Sequence, residues 1–308
     1  MGDLFVLQRQ VEQMRIERYA AIDIGSNAVR LLISNVVSAQ GHPPKFMKSS
    51  MVRVPIRLGE DSFTVGEISK RNEKRMIKAM KAFKYIMRIN NVKDYMACAT
   101  SALREANNGE EIVSNIQSKT GIDIQVIDGK REAEIIATTN IFERINKNRT
   151  FLYIDVGGGS TEFSVLVKGE RVVSKSFKVG TVRMINNMVS QKVWDQIEAW
   201  ILTHTQHHSK LALLGSGGNI NKLFKIAGIK EGRPLTLIKL NTLYNELSDL
   251  DYNDRILKWE LNPDRSDVII PATQIYLKAL QWAGCSEIFV PKIGLSDGMI
   301  KVLYQQNN

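Results

Sequence analysis

An internal repeat constrains this chain more than any other feature. Residues 19–33 read YAAIDIGSNAVRLLI, and residues 151–167 read FLYIDVGGGSTEFSVLV. Each is an apolar strand ending in an aspartate, a turn of glycine and small polar residues, and a second apolar strand. Ile22-Asp23-Ile24-Gly25-Ser26-Asn27 and Ile154-Asp155-Val156-Gly157-Gly158-Gly159 hold equivalent places. Self-similarity on this scale marks one supersecondary unit used twice. The expectation is a duplicated α/β fold of two lobes with a cleft between them, which suits a chain of 308 residues.

The remaining pattern is read in the same way. Lys70–Lys93 predicts a helix with Met76, Ile77, Met80, Phe83 and Met87 inward and its basic residues on the wet face. A short strand follows around Tyr95–Cys98, then a helix capped near Asn107 or Asn108 that ends before Gly121. Ile122, Ile124, Val126 and Ile127 predict a strand, and a helix is expected from Gly129 to about Glu143. In the second half, RVVSKSFKV, LALLGS, LTLIKL and SEIFVP read as strands. Helices are expected near 192–208, after the Gly215–Asn219 turn, over Asp264–Trp282, and over LSDGMIKVLY. Pro43-Pro44 marks a local loop, and the first eighteen residues read as an added amphipathic segment.

Lys and Arg total 42 against 32 acids, a formal net charge of +10. Such an excess favours capture of polyanions without naming one. No apolar run has the length of a membrane span, and Val6 stands where a myristoylation signal needs Ser or Thr. Cys98 and Cys285 lie in apolar runs and read as buried free thiols of a reducing, cytoplasmic compartment. His204, His207 and His208 share helical spacing without an acid or cysteine, which reads as a solvated helix end.

The two turns carry the chemistry. Glycines let successive N–H groups converge on one anion. The aspartate before each turn suits Mg²⁺, which keeps its waters and binds through few carboxylates plus substrate phosphates. Three glycines in a row at Gly157–Gly159 are costly unless something approaches the backbone there. A third turn, Gly215-Ser216-Gly217-Gly218-Asn219, lacks the last glycine of a dinucleotide fingerprint, and no Walker A sequence is present.

The ordered set AIDIGSNAVRLLI, ATSALREA, IQVIDGKREAEII, YIDVGGGSTEFSV, LLGSGGNI and GLSDGMI resembles the exopolyphosphatase / guanosine pentaphosphate phosphohydrolase (Ppx/GppA) family, from about residue 19 to the end. The resemblance implies a two-lobed actin-like ATPase / ribonuclease H-like fold. One lobe would hold residues 1–128 with the C-terminal helix 296–308, and the other residues 129–295. It implies Glu132 as general base, although an acid in a first helical turn is ordinary by position alone. Arg104 matches an arginine reaching the substrate phosphates. Asp23, Gly25, Ser26 and Asn27 match the first phosphate loop, and Gly157, Gly158, Gly159, Ser160 and Thr161 the second. Gly215, Ser216 and Gly217 are expected to supply a third phosphate-binding turn, and Asp155, Asp23 and Glu162 are the expected metal-associated acids.

The function implied is release of terminal phosphate from inorganic polyphosphate or guanosine pentaphosphate, assisted by Mg²⁺ or another divalent cation. No membrane or specific nucleic-acid partner is implied, and a homodimer is left open. Lys130 and Arg131 stand where the family often has an extra acid, and GSGGN replaces a more usual Gly-Ser/Thr-Gly-Thr. With the chain ending soon after GLSDGMI, short polyphosphate or guanosine pentaphosphate is the expected substrate. The alternatives are a non-catalytic guanosine tetra- or pentaphosphate-binding regulator and a kinase of the same superfamily.

Overall fold

The computed structural model describes residues 14–139, 149–208 and 210–308. Two mixed sheets carry the chain, and both follow one path. In the first, β1 (Arg15–Ile24), β2 (Val29–Ala39) and β3 (His42–Val54) form an antiparallel meander. On the other side of β1, β4 (Asp94–Ala99) and β5 (Gln125–Val126) add in parallel, giving β3-β2-β1-β4-β5. In the second, β6 (Thr150–Val156), β7 (Thr161–Val167) and β8 (Glu170–Phe177) repeat the meander. β9 (Leu211–Ser216) and β11 (Glu287–Phe289) repeat the parallel additions, and β10 (Leu235–Thr236) closes the edge. The molecule is thus the duplicated α/β fold expected from the repeated hairpin.

Between β3 and β4 lie α1 (Leu58–Thr64) and α2 (Lys70–Ile89). α2 starts where the Ser69 hydroxyl accepts the Asn72 amide, and it buries Met76, Met80, Phe83 and Met87. After β4 come α3 (Ser101–Glu105), α4 (Gly109–Thr120) and, beyond β5, α5 (Gly129–Ala137). The second sheet carries α6 (Thr181–Ile185), α7 (Gln191–Thr205), α8 (Gly218–Ile226) and α9 (Leu237–Ser248). α10 (Tyr252–Trp259), α11 (Pro263–Ser266) and α12 (Ile269–Trp282) follow. The closing helix α13 (Leu295–Gln306) returns to pack on α5 and the first sheet. Each sheet has its own apolar core, and a third core joins them through Tyr19, Leu32, Ile135, Tyr153, Leu214 and Met299.

Several expectations are corrected. Pro43 and Pro44 lie inside β3, at an irregularity in its pairing with β2 between Val37 and Ala39, where neither has a ladder partner. LTLIKL is a strand only at Leu235–Thr236; the Thr236 hydroxyl then caps α9. Asp264–Trp282 is two helices, because Pro271 has no N–H to offer the Asp267 carbonyl. The strand expected over Ile122–Ile127 shrinks to Gln125–Val126. β1 begins at Arg15, inside the supposed extension, with Glu17 paired to Lys93. The helix from Gly129 ends at Ala137; the rest of its expected span, from residue 140, and residues 1–13 lie outside the described residues. Both cysteines are buried and free, and burial pushes their thiols up, Cys98 to about 12 and Cys285 to about 11. Among the described residues no helix is long and apolar enough to cross a membrane.

Candidate active site

In each sheet the two parallel central strands end side by side. β1 and β4 finish at Ile24 and Ala99, and β6 and β9 at Val156 and Ser216. The carboxyl ends of parallel strands are where such sheets bind ligands. Here both sets line one cavity of about 120 Å³, with room for several waters or a terminal phosphate. The turns that follow β1 and β6 meet there. A Cβ at Gly158 would lie 2.7 Å from Ser26 Cβ, so only glycine permits this approach.

The backbone of the turns is partly committed and partly free. The Gly25 amide donates to Ala28 O at 3.1 Å, and the Gly157 amide to Ser160 O at 2.9 Å, which fixes each bend. The amides of Ser26, Asn27, Gly158 and Gly159 donate to no group among the described residues. The third turn places Gly217 at φ +103°, and α8 starts there with its first amides open. Ser26 is held from below by Ser101, hydroxyl to hydroxyl at 2.9 Å.

Four carboxylates share the cavity wall: Asp23, Glu132, Asp155 and Glu162. Register explains two placements, since Asp155 stands opposite Glu162 across β6 and β7 while Asp23 stands opposite Arg30 across β1 and β2. Arg30 Nη1 donates to Asp23 Oδ2 at 2.9 Å. Glu162 Oε1 accepts the hydroxyls of Ser176 at 2.8 Å and Ser160 at 3.0 Å. Glu132 enters from the first turn of α5, whose N-cap Asp128 accepts the Arg131 amide. Its carboxylate has no hydrogen-bond or ion-pair partner among the described residues.

Burial, followed by the charges of Glu162, Asp155 and Asp23, holds Glu132 well above the ordinary carboxylate range, with Arg104 opposing. Asp155 is pushed up to about 7 by burial, then by Glu162 and Asp23, against Arg30. Burial also raises Glu162, against its two hydroxyl donors and Arg104. Four acids crowded in this way call for added positive charge. Among the described residues no three His, Cys, Asp or Glu groups stand ready to grip an ion alone. Carboxylates lining a cavity roomy enough for water suit a hydrated divalent ion of the Mg²⁺ type.

A cationic end completes the cavity. Arg30, Arg53 and Arg265 all line it. Burial, with the charges of Arg53 and Arg30, brings Arg265 down to about 10, while Asp264 opposes. The rims are tied across the lobes. Arg57 Nη2 pairs with Asp267 Oδ1 at 2.7 Å, and Arg183 Nη2 pairs with Glu105 Oε2 at 2.5 Å. Arg183 also donates from Nε to Gly159 O at 2.8 Å and stacks on Phe63.

Of the residues expected at the site, Asp23, Gly25, Ser26, Asn27 and Glu132 line the cavity. So do Asp155, Gly157, Gly158, Ser160, Glu162, Ser216 and Gly217. Gly159 packs behind the turn, where a Cβ would lie 2.7 Å from Phe63 Cε2. Thr161 is buried with its hydroxyl on Val179 O at 2.6 Å, and Gly215 packs against Ile220 and Ile288. Arg104 does not line the cavity; its Nη1 donates to Ile127 O at 2.6 Å, with its charge acting on Glu132 and Glu162. His204 is spent on Trp200 O at 2.7 Å.

Sequence reasoning missed the arginines. Arg30 was within reach, because it holds the place in the first hairpin that Glu162 holds in the second, seven residues after the aspartate in each. Arg53 on the edge strand and Arg265 in a four-residue helix carry no local signal.

Exopolyphosphatase 1 of Mycobacterium tuberculosis (strain ATCC 25618 / H37Rv) is 31% identical over 168 residues, 54% of this chain and 47% of that protein. A bifunctional 3-dehydroquinate synthase/phosphatase of Fusobacterium nucleatum is 29% identical over 297 residues, 88% of this chain and 44% of that protein. The chain spans about half the length of these curated relatives. An exopolyphosphatase structure from Cytophaga hutchinsonii matches with TM-score 0.82 at 24% identity, covering 94% of this chain and 98% of that one. A Ppx/GppA family member from Aquifex aeolicus matches with TM-score 0.74 at 21% identity, covering 96% and 99%. At these identities the two structures speak for the fold. The description of the Ppx/GppA phosphatase family matches residues 36–306, and the chain belongs to that family.

Proposed function

We propose that this chain releases the terminal phosphate of inorganic polyphosphate, with guanosine pentaphosphate as a second substrate, by in-line attack of water. One observation carries the reading: a carboxylate raised above its ordinary range, Glu132, faces the same cavity as two glycine turns with free amides. Phosphoryl transfer asks for positioning and charge stabilisation, and open amides and arginines provide both.

The terminal phosphate would sit against the amides of Ser26, Asn27 and Gly158. Glu132 orients a water and takes its proton as the water oxygen bonds to phosphorus; the bridging P–O bond breaks, and the shortened chain leaves. A pKa above the ordinary carboxylate range suits Glu132 to this transfer near neutral pH. Arg104 offsets charge near Glu132 and Glu162 without touching the cavity. Ser176 and Ser160 hold Glu162 in place. Asp23, Asp155 and Glu162 would hold Mg²⁺, which supplies charge neutralisation to the phosphate oxygens when bound. Closure of the lobes around the cavity excludes water other than the nucleophile.

The test is phosphate release from tripolyphosphate, long polyphosphate, guanosine pentaphosphate and ATP, with and without Mg²⁺. Mg²⁺-dependent release from the first three is expected. Tight guanosine pentaphosphate binding without release under any divalent ion would indicate a regulatory binding protein instead. Phosphorylation of an acceptor at the expense of ATP would indicate a kinase.

A further inference from the structure

Resting on the reading of a polyphosphate substrate, we infer that Asp264 selects substrate length: its carboxylate stands in for a distal phosphate, and only a chain long enough to displace it gains Arg53. The first observation is a row of charge across the first sheet. Asp23 on β1 stands opposite Arg30 on β2, and Arg30 stands opposite Arg53 on β3. Strands lie about 4.8 Å apart, so the backbones that carry the row span about 10 Å from β1 to β3. That exceeds one phosphate group and suits a chain of several.

The second observation is how this row is neutralised. Arg30 pairs with Asp23, and Arg53 Nη2 pairs with Asp264 Oδ2. Arg265, the next residue, donates to Gly218 O at 2.9 Å and pairs with no carboxylate among the described residues. Three guanidiniums therefore share two carboxylates. The surplus positive charge lies at the outer end, where an anion would lower the repulsion that burial has concentrated.

The third observation shows that Asp264 satisfies Arg53 only in part. Arg53 Nε is buried without a hydrogen-bond partner. A guanidinium offers a fork of donors that a phosphate can engage at two points. Asp264 reaches it through one nitrogen. The backbone of Asp264 is anchored independently, since its carbonyl accepts Asn27 Nδ2 at 3.0 Å. Its carboxylate can therefore swing away without loss of the link between α11 and the first turn. The Arg53 and Asp264 side chains are 19% and 12% exposed, so solvent screens the pair only weakly and displacement has a real cost. A short anion at the turns never meets that competition, whereas a longer one does.

The experiment is calorimetric titration of full-length Glu132→Gln protein, with and without Asp264→Asn, against pyrophosphate and tripolyphosphate. Binding is read directly, so failure of hydrolysis leaves these affinities interpretable. Asn keeps the shape of Asp and removes its charge. Tripolyphosphate should bind about tenfold tighter in the Asp264→Asn protein, with pyrophosphate unchanged. Equal gains for both anions would reduce Asp264 to a general charge effect and overturn the inference. Weaker tripolyphosphate binding would do the same, by making Asp264 a mere support for Arg53. Arg53→Gln provides an independent arm: loss of the preference for tripolyphosphate over pyrophosphate is expected, and its full retention would overturn the assignment. A chain binding neither anion would overturn the proposed function together with this inference.

Discussion

Asp155 should destabilise the metal-free protein at neutral pH, and removing its charge should stabilise it. Its carboxyl rises from 3.8 to about 7 on folding. Between those values the folded chain holds a proton that the unfolded chain has released. The penalty is therefore absent below about pH 4, grows as pH rises, and is complete above about pH 7. A rise of about 3 pH units corresponds to about 4 kcal/mol. Protonation of Glu132 or Glu162 relieves Asp155 in turn, so roughly half of that should remain. For a chain of 308 residues, about 2 kcal/mol moves the melting temperature by about 3 °C. Melting of Asp155→Asn and the unsubstituted protein in chelator, at pH 4.5 and pH 8, gives the assay. The variant should melt higher at pH 8, with the gap closing at pH 4.5, and Mg²⁺ should raise the unsubstituted protein more than the variant. A variant that melts no higher at pH 8 would refute the view that the four acids are held together under mutual repulsion.

Two further substitutions probe the geometry around the turns. Gly158→Ala places a methyl 2.7 Å from Ser26 Cβ and 3.2 Å from Val182 Cγ2. It should cost about 1–3 kcal/mol in thermal or urea unfolding, and tripolyphosphate binding should fall as the turns are forced apart. Arg183→Gln removes the link to Glu105 and the bond to Gly159 O. A loss of about 1–3 kcal/mol is expected in unfolding measurements, together with weaker retention of the closed cleft, read as faster release of bound tripolyphosphate.

The fold was legible because its most informative segment is local. An aspartate, a glycine turn and a flanking strand announce a hairpin in about fifteen residues, and the same announcement made twice fixes a duplicated fold. The cavity-lining acids Asp23 and Asp155 were legible for the same reason. Glu132 was not legible from its own surroundings. An acid in a first helical turn is commonplace, and what sets it apart is three other carboxylates brought in from β1, β6 and β7. Resemblance to a family pointed to it; pattern did not. Arg53 and Arg265 lie more than two hundred residues apart, so only the closed cleft puts them on one cavity. The strand β3 went unread because Pro43-Pro44 is a loop signal in a regular ladder, and here the pair falls at an irregularity opposite Val37–Ala39 of β2. The break before α12 is the opposite case, since Pro271 was visible and its missing donor already forbade one continuous helix.

The most direct measurement compares single-turnover phosphate release by the unsubstituted protein and by Glu132→Gln, at saturating tripolyphosphate and Mg²⁺, across pH 5 to 9. Release should fall on the order of 10²–10⁴-fold in the variant, with tripolyphosphate affinity preserved. In the unsubstituted protein it should rise with pH, as a carboxylate held above its ordinary range gives up its proton. Undiminished release by Glu132→Gln would contradict the assignment of this residue as the group that activates water.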